Sequence, residues 1–215
     1  MSAPPTTLDL APGLTISRIL TGLWQIADME RDGSKVDPEH AAQAMDAYVA
    51  AGLTTFDMAD HYGSAEEIAG HYRDTRAGGD VQLFTKWVPE PGPVSRHDVR
   101  AAVQRSLDRL RTERIDLLQF HAWRYLDPSW LDGLLYLDEL RQEGLIRHLG
   151  LTNVDATHLD MVLQSGVPVI ILAIGYGSDA DEDTLRALAK SSGGQYYTGD
   201  LDTIRRLYKI LSTYF

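Results

Sequence analysis

Residues 55–63 read TFDMADHYG, and this stretch decides how the rest of the chain is interpreted. Residues 54–56 form a short apolar run that predicts a β-strand, with Asp57 at its end and Tyr62 in the loop that follows. A tyrosine side chain is a weak acid, with an ordinary pKa of about 10. To donate a proton near neutral pH it needs a neighbouring cation, and a further group must hold that cation in place.

Two further predicted strands end in polar side chains that suit this chemistry. Lys86 ends the strand predicted at residues 81–86, and His121 ends the strand predicted at residues 115–121. Parallel α/β folds carry their chemistry at the C-terminal ends of strands and in the loops just after them. We therefore expect the polar groups of the three strands to converge on one site.

The sequence around these residues extends the pattern. Four ordered motifs carry it: FDMADHYG at 56–63, FTK at 84–86, IDLLQFH at 115–121 and GLTN at 150–153. Together they resemble the aldo-keto reductase family from about residue 8 to about residue 169. The resemblance implies a TIM-barrel origin and a tetrad in which Tyr62 is the general acid, Lys86 lowers its pKa, Asp57 holds Lys86 and His121 orients the substrate carbonyl. The alternative is four ordinary polar residues at strand ends.

The same resemblance implies a partial cofactor-binding site that consists of Thr152 and Asn153. Asn153 resembles the family residue that binds the nicotinamide carboxamide. An asparagine at a strand end is as often a backbone cap, so both roles stay open for Asn153. We predict no metal site, because the seven histidines form no metal-binding pair at helical spacing.

The composition restricts the partners of the protein. The formal net charge is -11, with 31 acidic and 20 basic residues, which argues against nucleic acid and anionic membranes as partners. There is no cysteine, so neither a disulfide framework nor thiol chemistry is expected. Without a signal-peptide pattern or an apolar run of about 20 residues, we predict a cytoplasmic location.

The order of elements predicts a parallel α/β sheet. Residues 7–17 alternate around a Pro-Gly turn and predict an N-terminal hairpin. Asp37 and Ser95 each precede a run with helical spacing and predict helix N-caps. Alternating strands and helices then predict a TIM-barrel-derived, barrel-like fold with about seven parallel strands plus the hairpin. An open doubly wound sheet is the alternative.

Residues 170–215 depart from this resemblance. They are similar to the C-terminal β-α-β-α part of a von Willebrand factor A domain, with a final helix at 202–215. This predicts one chimeric domain over residues 1–215, whose last two strands continue the first sheet. The run 175–180 fits the dinucleotide pattern G-x-G-x-x-A formally, but acidic residues crowd it at 179 and 181–183 and would repel a phosphate.

Two functional hypotheses follow. The first is an engineered chimeric scaffold without efficient catalysis and with no cofactor expected, so that enzyme status is uncertain and leans negative. The alternative is an NADP-dependent aldehyde or ketone reductase that uses the tetrad. An unclosed parallel sheet would also leave a free edge, for which weak self-association is one remedy.

Overall fold

The computed structural model describes residues 7–28, 36–77, 81–171, 173–176, 180–193 and 196–199. The chain divides into two compact units, Met1–Val169 and Ile170–Phe215. The division lies at the position where the sequence analysis predicted the joint of a chimera. The acidic position 179 and the helix predicted at 202–215 lie outside the described residues.

The first unit contains a hairpin and a five-stranded parallel sheet. The strands are β1 Thr7–Ala11, β2 Leu14–Ser17, β3 Thr21–Gly22, β4 Thr55–Asp57, β5 Gln82–Trp87, β6 Ile115–His121 and β7 Ile146–Thr152. Strands β1 and β2 pair antiparallel, which confirms the predicted hairpin. The sheet has the order β3-β4-β5-β6-β7, so that consecutive strands are neighbours. The polar residues at the strand ends therefore lie along one edge of this sheet.

Helices connect the strands, as the sequence pattern predicts. They are α1 Pro38–Gln43, α2 Met45–Ala50, α3 Ala65–Tyr72, α4 Arg96–Arg109, α5 Ser129–Gln142 and α6 Ala156–Ser165, with a π-helical turn at Arg73–Ala77. Asp37 caps α1 through the backbone N–H of Glu39, and Ser95 forms a capping box with Asp98. Both predicted caps are confirmed, although the single helix predicted after Asp37 is divided at Ala44.

Three strands of the sheet each carry a buried phenylalanine. Phe56, Phe84 and Phe120 are each at most 1% exposed. In the strand register Phe56 pairs with Leu83, and Trp87 pairs with Phe120. Each such side chain contributes roughly 1.5–3 kcal/mol on burial. The strand register fixes the relative heights at which β4, β5 and β6 end, and so the relative positions of the polar residues there.

The second unit contains β8 Ala173–Tyr176, α7 Glu182–Ser191 and β9 Tyr196–Gly199. Strands β8 and β9 are parallel to each other. With the five parallel strands of the first unit they make seven described parallel strands, which is the number predicted. The expectation that they continue the first sheet is wrong for the described residues, since they pair with each other. Before them, Val169 forms only an isolated bridge to Leu149, and Pro168 beside it has no backbone N–H to extend a ladder.

Candidate active site

Asp57 and Lys86 are in direct contact at the ends of β4 and β5. The Lys86 ammonium donates to Asp57 Oδ2 at 2.5 Å and to the backbone oxygen of Met58 at 2.9 Å. The Lys86 side chain is only 12% exposed, and that of Asp57 is 29% exposed. A buried ammonium requires such partners. The structure therefore fixes this cation at the strand ends, as the sequence predicts.

Tyr62 lies in the loop after β4 and presents its ring to the same cation. Lys86 Nζ is 5.3 Å from the centroid of the Tyr62 ring, and the Trp24 ring meets that ring edge-on at 4.6 Å. Burial raises the pKa of Tyr62 above the ordinary phenol value, and the negative charge of Asp57 raises it further. The resemblance implied that Lys86 lowers this pKa, but its direction in this structure is upward. The phenol stays protonated at neutral pH, as a proton donor must.

His121 ends β6 with one ring nitrogen open. Its Nε2 is buried, and no group among the described residues lies within hydrogen-bonding distance of it. Burial lowers the pKa of His121, and His61 and Lys86 lower it further. The imidazole is therefore neutral at pH 7. A neutral ring with an unpartnered buried nitrogen can donate to, or accept from, a bound molecule.

Thr152 and Asn153 lie at the level of His121, because Thr152 is its register partner on β7. Asn153 has a φ of 59°, which asparagine tolerates better than most residues. Its side-chain nitrogen donates to the backbone oxygen of Ala122 at 2.7 Å, and its own backbone oxygen accepts from the Tyr125 hydroxyl at 3.0 Å. The Asn153 side-chain amide therefore links the ends of β6 and β7 as a cap and lies beside the predicted site.

Gln119 is a site residue that the sequence analysis missed. Its Nε2 donates to Asp57 Oδ1 at 2.9 Å, so that the Asp57 carboxylate has one partner on each oxygen. The available signal was a polar side chain between two buried apolar residues of β6, Leu118 and Phe120. The distance in sequence, 62 residues, hid its partner.

A buried charge network was missed as well. Glu66 on α3 is 1% exposed; it accepts from the Thr85 hydroxyl at 2.7 Å and from Arg109 NH1 at 3.3 Å. The same Arg109 nitrogen donates to the backbone oxygen of Asp60 at 2.9 Å. This network ties the loop that carries Tyr62 to β5 and α4. The sequence offers little sign of it, since glutamate in a helix is mostly exposed.

Asp28 anchors the other side of the Tyr62 loop. Its carboxylate accepts from the backbone N–H of Ser64 at 2.7 Å, and this bond is the largest cause of its lowered pKa. A Cβ on Gly63 would lie 2.0 Å from Asp28 Oδ1, and Gly63 has a φ of 48°. The close approach and the positive φ both require glycine at this position.

Comparisons with known proteins agree with this geometry. The sequence model of the Aldo/keto reductase family matches residues 18–193. An aldo-keto reductase of Mycobacterium sp. (strain KMS) is 30% identical over 169 residues, which is 77% of this chain and 55% of that protein. The NADH-specific methylglyoxal reductase of Escherichia coli is 28% identical over 188 residues, with 74% and 55% coverage. The chain spans about half the length of these curated relatives.

Solved structures show the same fold. The holo form of an aldo-keto reductase from Bacillus halodurans matches with a TM-score of 0.67 and 25% identity, over 90% of this chain and 65% of that one. The Bombyx mori aldo-keto reductase in complex with NADP matches with a TM-score of 0.63 and 23% identity, over 91% and 66%. Both are consistent with the predicted TIM-barrel origin.

These findings overturn the hypothesis of an engineered chimeric scaffold without efficient catalysis. The family match runs continuously through residue 169, where the joint was predicted, and ends at residue 193. None of these matches supports a von Willebrand factor A origin for the last part of the chain. The physical reason for the error is that a strand, an acidic turn and an amphipathic helix form an α/β unit common to many folds.

Proposed function

Because the chain belongs to the aldo/keto reductase family, we propose that it reduces the carbonyl group of an aldehyde or ketone. The observation that carries this proposal is the buried contact of Lys86 with Asp57 beneath the ring of Tyr62. It places a held cation beside the phenol that is proposed as the acid. NADPH, the reduced form of NADP, is the first choice of hydride donor, and NADH the second.

Each residue of the tetrad has a distinct role in this proposal. Tyr62 donates its phenolic proton to the carbonyl oxygen as negative charge develops there. The phenolate left behind is stabilised by Lys86, which Asp57 keeps in place. His121, neutral because burial lowers its pKa, donates from Nε2 to the same oxygen and orients the carbonyl.

The residues present fit a nicotinamide cofactor. The bound cofactor supplies the hydride that no side chain can provide. Thr152 and Asn153 would hold its carboxamide at the end of β7, beside the open Nε2 of His121. One hydrogen of the Asn153 amide is committed to Ala122, and this bond holds the side chain at the strand end. The relatives named above differ in their cofactor, one being NADH-specific and another solved with NADP.

The test is reduction of small aldehydes and ketones by the 215-residue chain, followed by loss of absorbance at the nicotinamide band with NADPH and with NADH. Loss of the general acid in Tyr62→Phe is expected to reduce kcat by about 10²- to 10⁴-fold. Tyr48→Phe is the matched control, since Tyr48 is exposed on α2. A Tyr62→Phe variant as active as the control would contradict the proposal, as would the absence of turnover with both cofactors.

The remaining predictions about partners and location stay predictions. No helix among the residues described is both long enough and apolar enough to cross a bilayer. The net charge of -11 supports the absence of nucleic-acid and membrane partners. Light scattering at increasing concentration tests weak self-association, and a constant monomer mass would count against it. The cytoplasmic location is to be tested by fractionation of expressing cells.

A further inference from the structure

Gln119 takes the second oxygen of the Asp57 carboxylate, opposite the oxygen that binds Lys86. We propose that Gln119 is a positioning residue for the reduction proposed above: it orients Asp57 so that Lys86 is held beside Tyr62. Gln119 itself touches neither substrate nor cofactor in this scheme. The inference rests on the proposed function for its kinetic consequence, and on the structure alone for the Gln119–Asp57 pairing.

The strand register gives Gln119 this position. Gln119 is the register partner of Lys86 on the adjacent strand β6. Asp57 is on β4, on the other side of β5. Neighbouring strands lie about 4.8 Å apart, so that β4 and β6 are roughly 10 Å apart across β5. A long amide side chain and a carboxylate can meet over that width, and an asparagine at position 119 would fall short by one methylene group.

The next strand leaves room for this side chain. Gly150 on β7 is the register partner of Gln119. A Cβ at position 150 would lie 3.2 Å from Gln119 Cγ, which is closer than ordinary contact. Glycine at this position therefore allows the glutamine to extend across the sheet toward Asp57.

The hydrogen bond between Gln119 and Asp57 can have only one direction. An ionised carboxylate accepts hydrogen bonds only, so the amide must present its nitrogen to Asp57. Hydrogen bonds to a charged group are stronger than those between neutral groups. With Gln119 on Oδ1, the carboxylate cannot rotate away from Lys86 without losing a second bond. The pair thus favours one orientation of the Asp57 carboxylate.

Steady-state kinetics test the role. Gln119→Met removes the donor at similar length, and we expect kcat to fall about 10- to 100-fold, as for loss of one hydrogen bond to a charged group. The KM for the aldehyde and the Kd for NADPH should stay within about twofold, because position 119 contacts neither in this scheme. Gln119→Asn should be as impaired as Gln119→Met. Gln104→Met is the matched control, since Gln104 donates to Asp108 at 2.8 Å on the exposed face of α4.

Two kinetic results would overturn the role: a kcat for Gln119→Met within twofold of the parent protein, or equal losses in kcat, KM and cofactor affinity accompanied by a lower Tm. The second pattern is that of general destabilisation. The Gln104→Met control should match the parent protein in every constant.

An NMR measurement separates the pairing from the proposed function. In protein labelled with ¹⁵N-glutamine, the Gln119 side-chain amide is identified by its absence in Gln119→Met. We expect Asp57→Asn to shift that resonance and Gln104→Met to leave it unchanged. If Asp57→Asn leaves it in place, the pairing is refuted. If the parent protein shows no turnover, the proposed function fails, and a shifted resonance would still establish the pairing.

Discussion

Replacement of Arg109 by methionine should destabilise the protein more than removal of any surface cation. Arg109 NH1 lies 3.3 Å from Glu66 Oε2 and 2.9 Å from the backbone oxygen of Asp60. Methionine keeps much of the apolar stem but removes the charge and both hydrogen bonds. Glu66, only 1% exposed, would keep the Thr85 hydroxyl as its one remaining partner in the described part of the chain.

The expected magnitude follows from the burial of the two partners. At 3.3 Å and an effective dielectric constant of about 20, the attraction between unit charges is about 5 kcal/mol. The Arg109 side chain is 34% exposed, so solvent screens part of this attraction. Leaving a buried charge unpaired typically costs about 3–5 kcal/mol. We therefore expect the free energy of unfolding to fall by about 3 kcal/mol.

Urea denaturation followed by circular dichroism at neutral pH measures this loss. Arg111→Met is the matched control. Its ion pair with Asp74 is shorter, at 3.0 Å, but the two side chains are 47% and 59% exposed. An exposed pair of this kind contributes at most about 1 kcal/mol. The double variant Arg109→Met/Glu66→Gln should recover part of the loss, because it removes the unpaired charge.

The reasoning is refuted if Arg109→Met and Arg111→Met cost the same, because burial would then not decide the strength of the pair. It is also refuted if the double variant is less stable than Arg109→Met alone. That result would mean that the Glu66 carboxylate is better satisfied by its remaining contacts than by an amide.

Three further predictions concern stability. In Gly70→Ala the new Cβ would lie 2.1 Å from the backbone oxygen of Arg109, so we expect a loss of about 3 kcal/mol, measured as a Tm lower by roughly 6–12 °C. Ser95→Ala removes the capping box of α4 and should cost about 1 kcal/mol in urea denaturation. His121 and His148 have pKa values lowered from 6.5, chiefly by burial, so the unfolded chain binds more protons than the folded protein below that pH. The stability that these two histidines contribute is therefore complete above pH 6.5 and is lost as the pH falls below it. His148→Leu should weaken this pH dependence of the free energy of unfolding between pH 7.5 and pH 5.5.

The sequence predicted those parts of the fold that depend on local pattern. Strand β6 lies at the predicted residues 115–121, and β4 and β5 lie within one residue of their predictions. These strands are apolar runs between clear turns. The first strand of the sheet, β3, is the exception, since only Thr21–Gly22 pair with β4 and the sequence analysis gave no bounds for it. Pairing at an edge depends on the neighbouring strand and cannot be read from one segment.

The site residues also separate into those that a local sequence pattern predicts and those that it does not. Asp57, Tyr62, Lys86 and His121 could be named because each follows a recognisable strand. Gln119 and the network of Glu66 and Arg109 could not, because Gln119 lies 62 residues from Asp57 in sequence and Arg109 lies 43 residues from Glu66. Their positions depend on which strands and helices become neighbours. The direction of the Tyr62 pKa depends likewise on burial, which a motif does not report.

The strand order also indicates which site residues lie on the most protected strands and which lies in a loop. Strands β5 and β6 have hydrogen-bonded neighbours on both sides, and they carry Lys86, Gln119 and His121. Amides of such interior strands open only in the largest unfolding events, so their exchange with solvent is slow. Tyr62 lies in the loop after β4, and Asp28 and Arg109 fasten that loop from two sides. Substitution of Asp28 or Arg109 would therefore change the motion of the loop that carries Tyr62 and leave Lys86 and His121 in place.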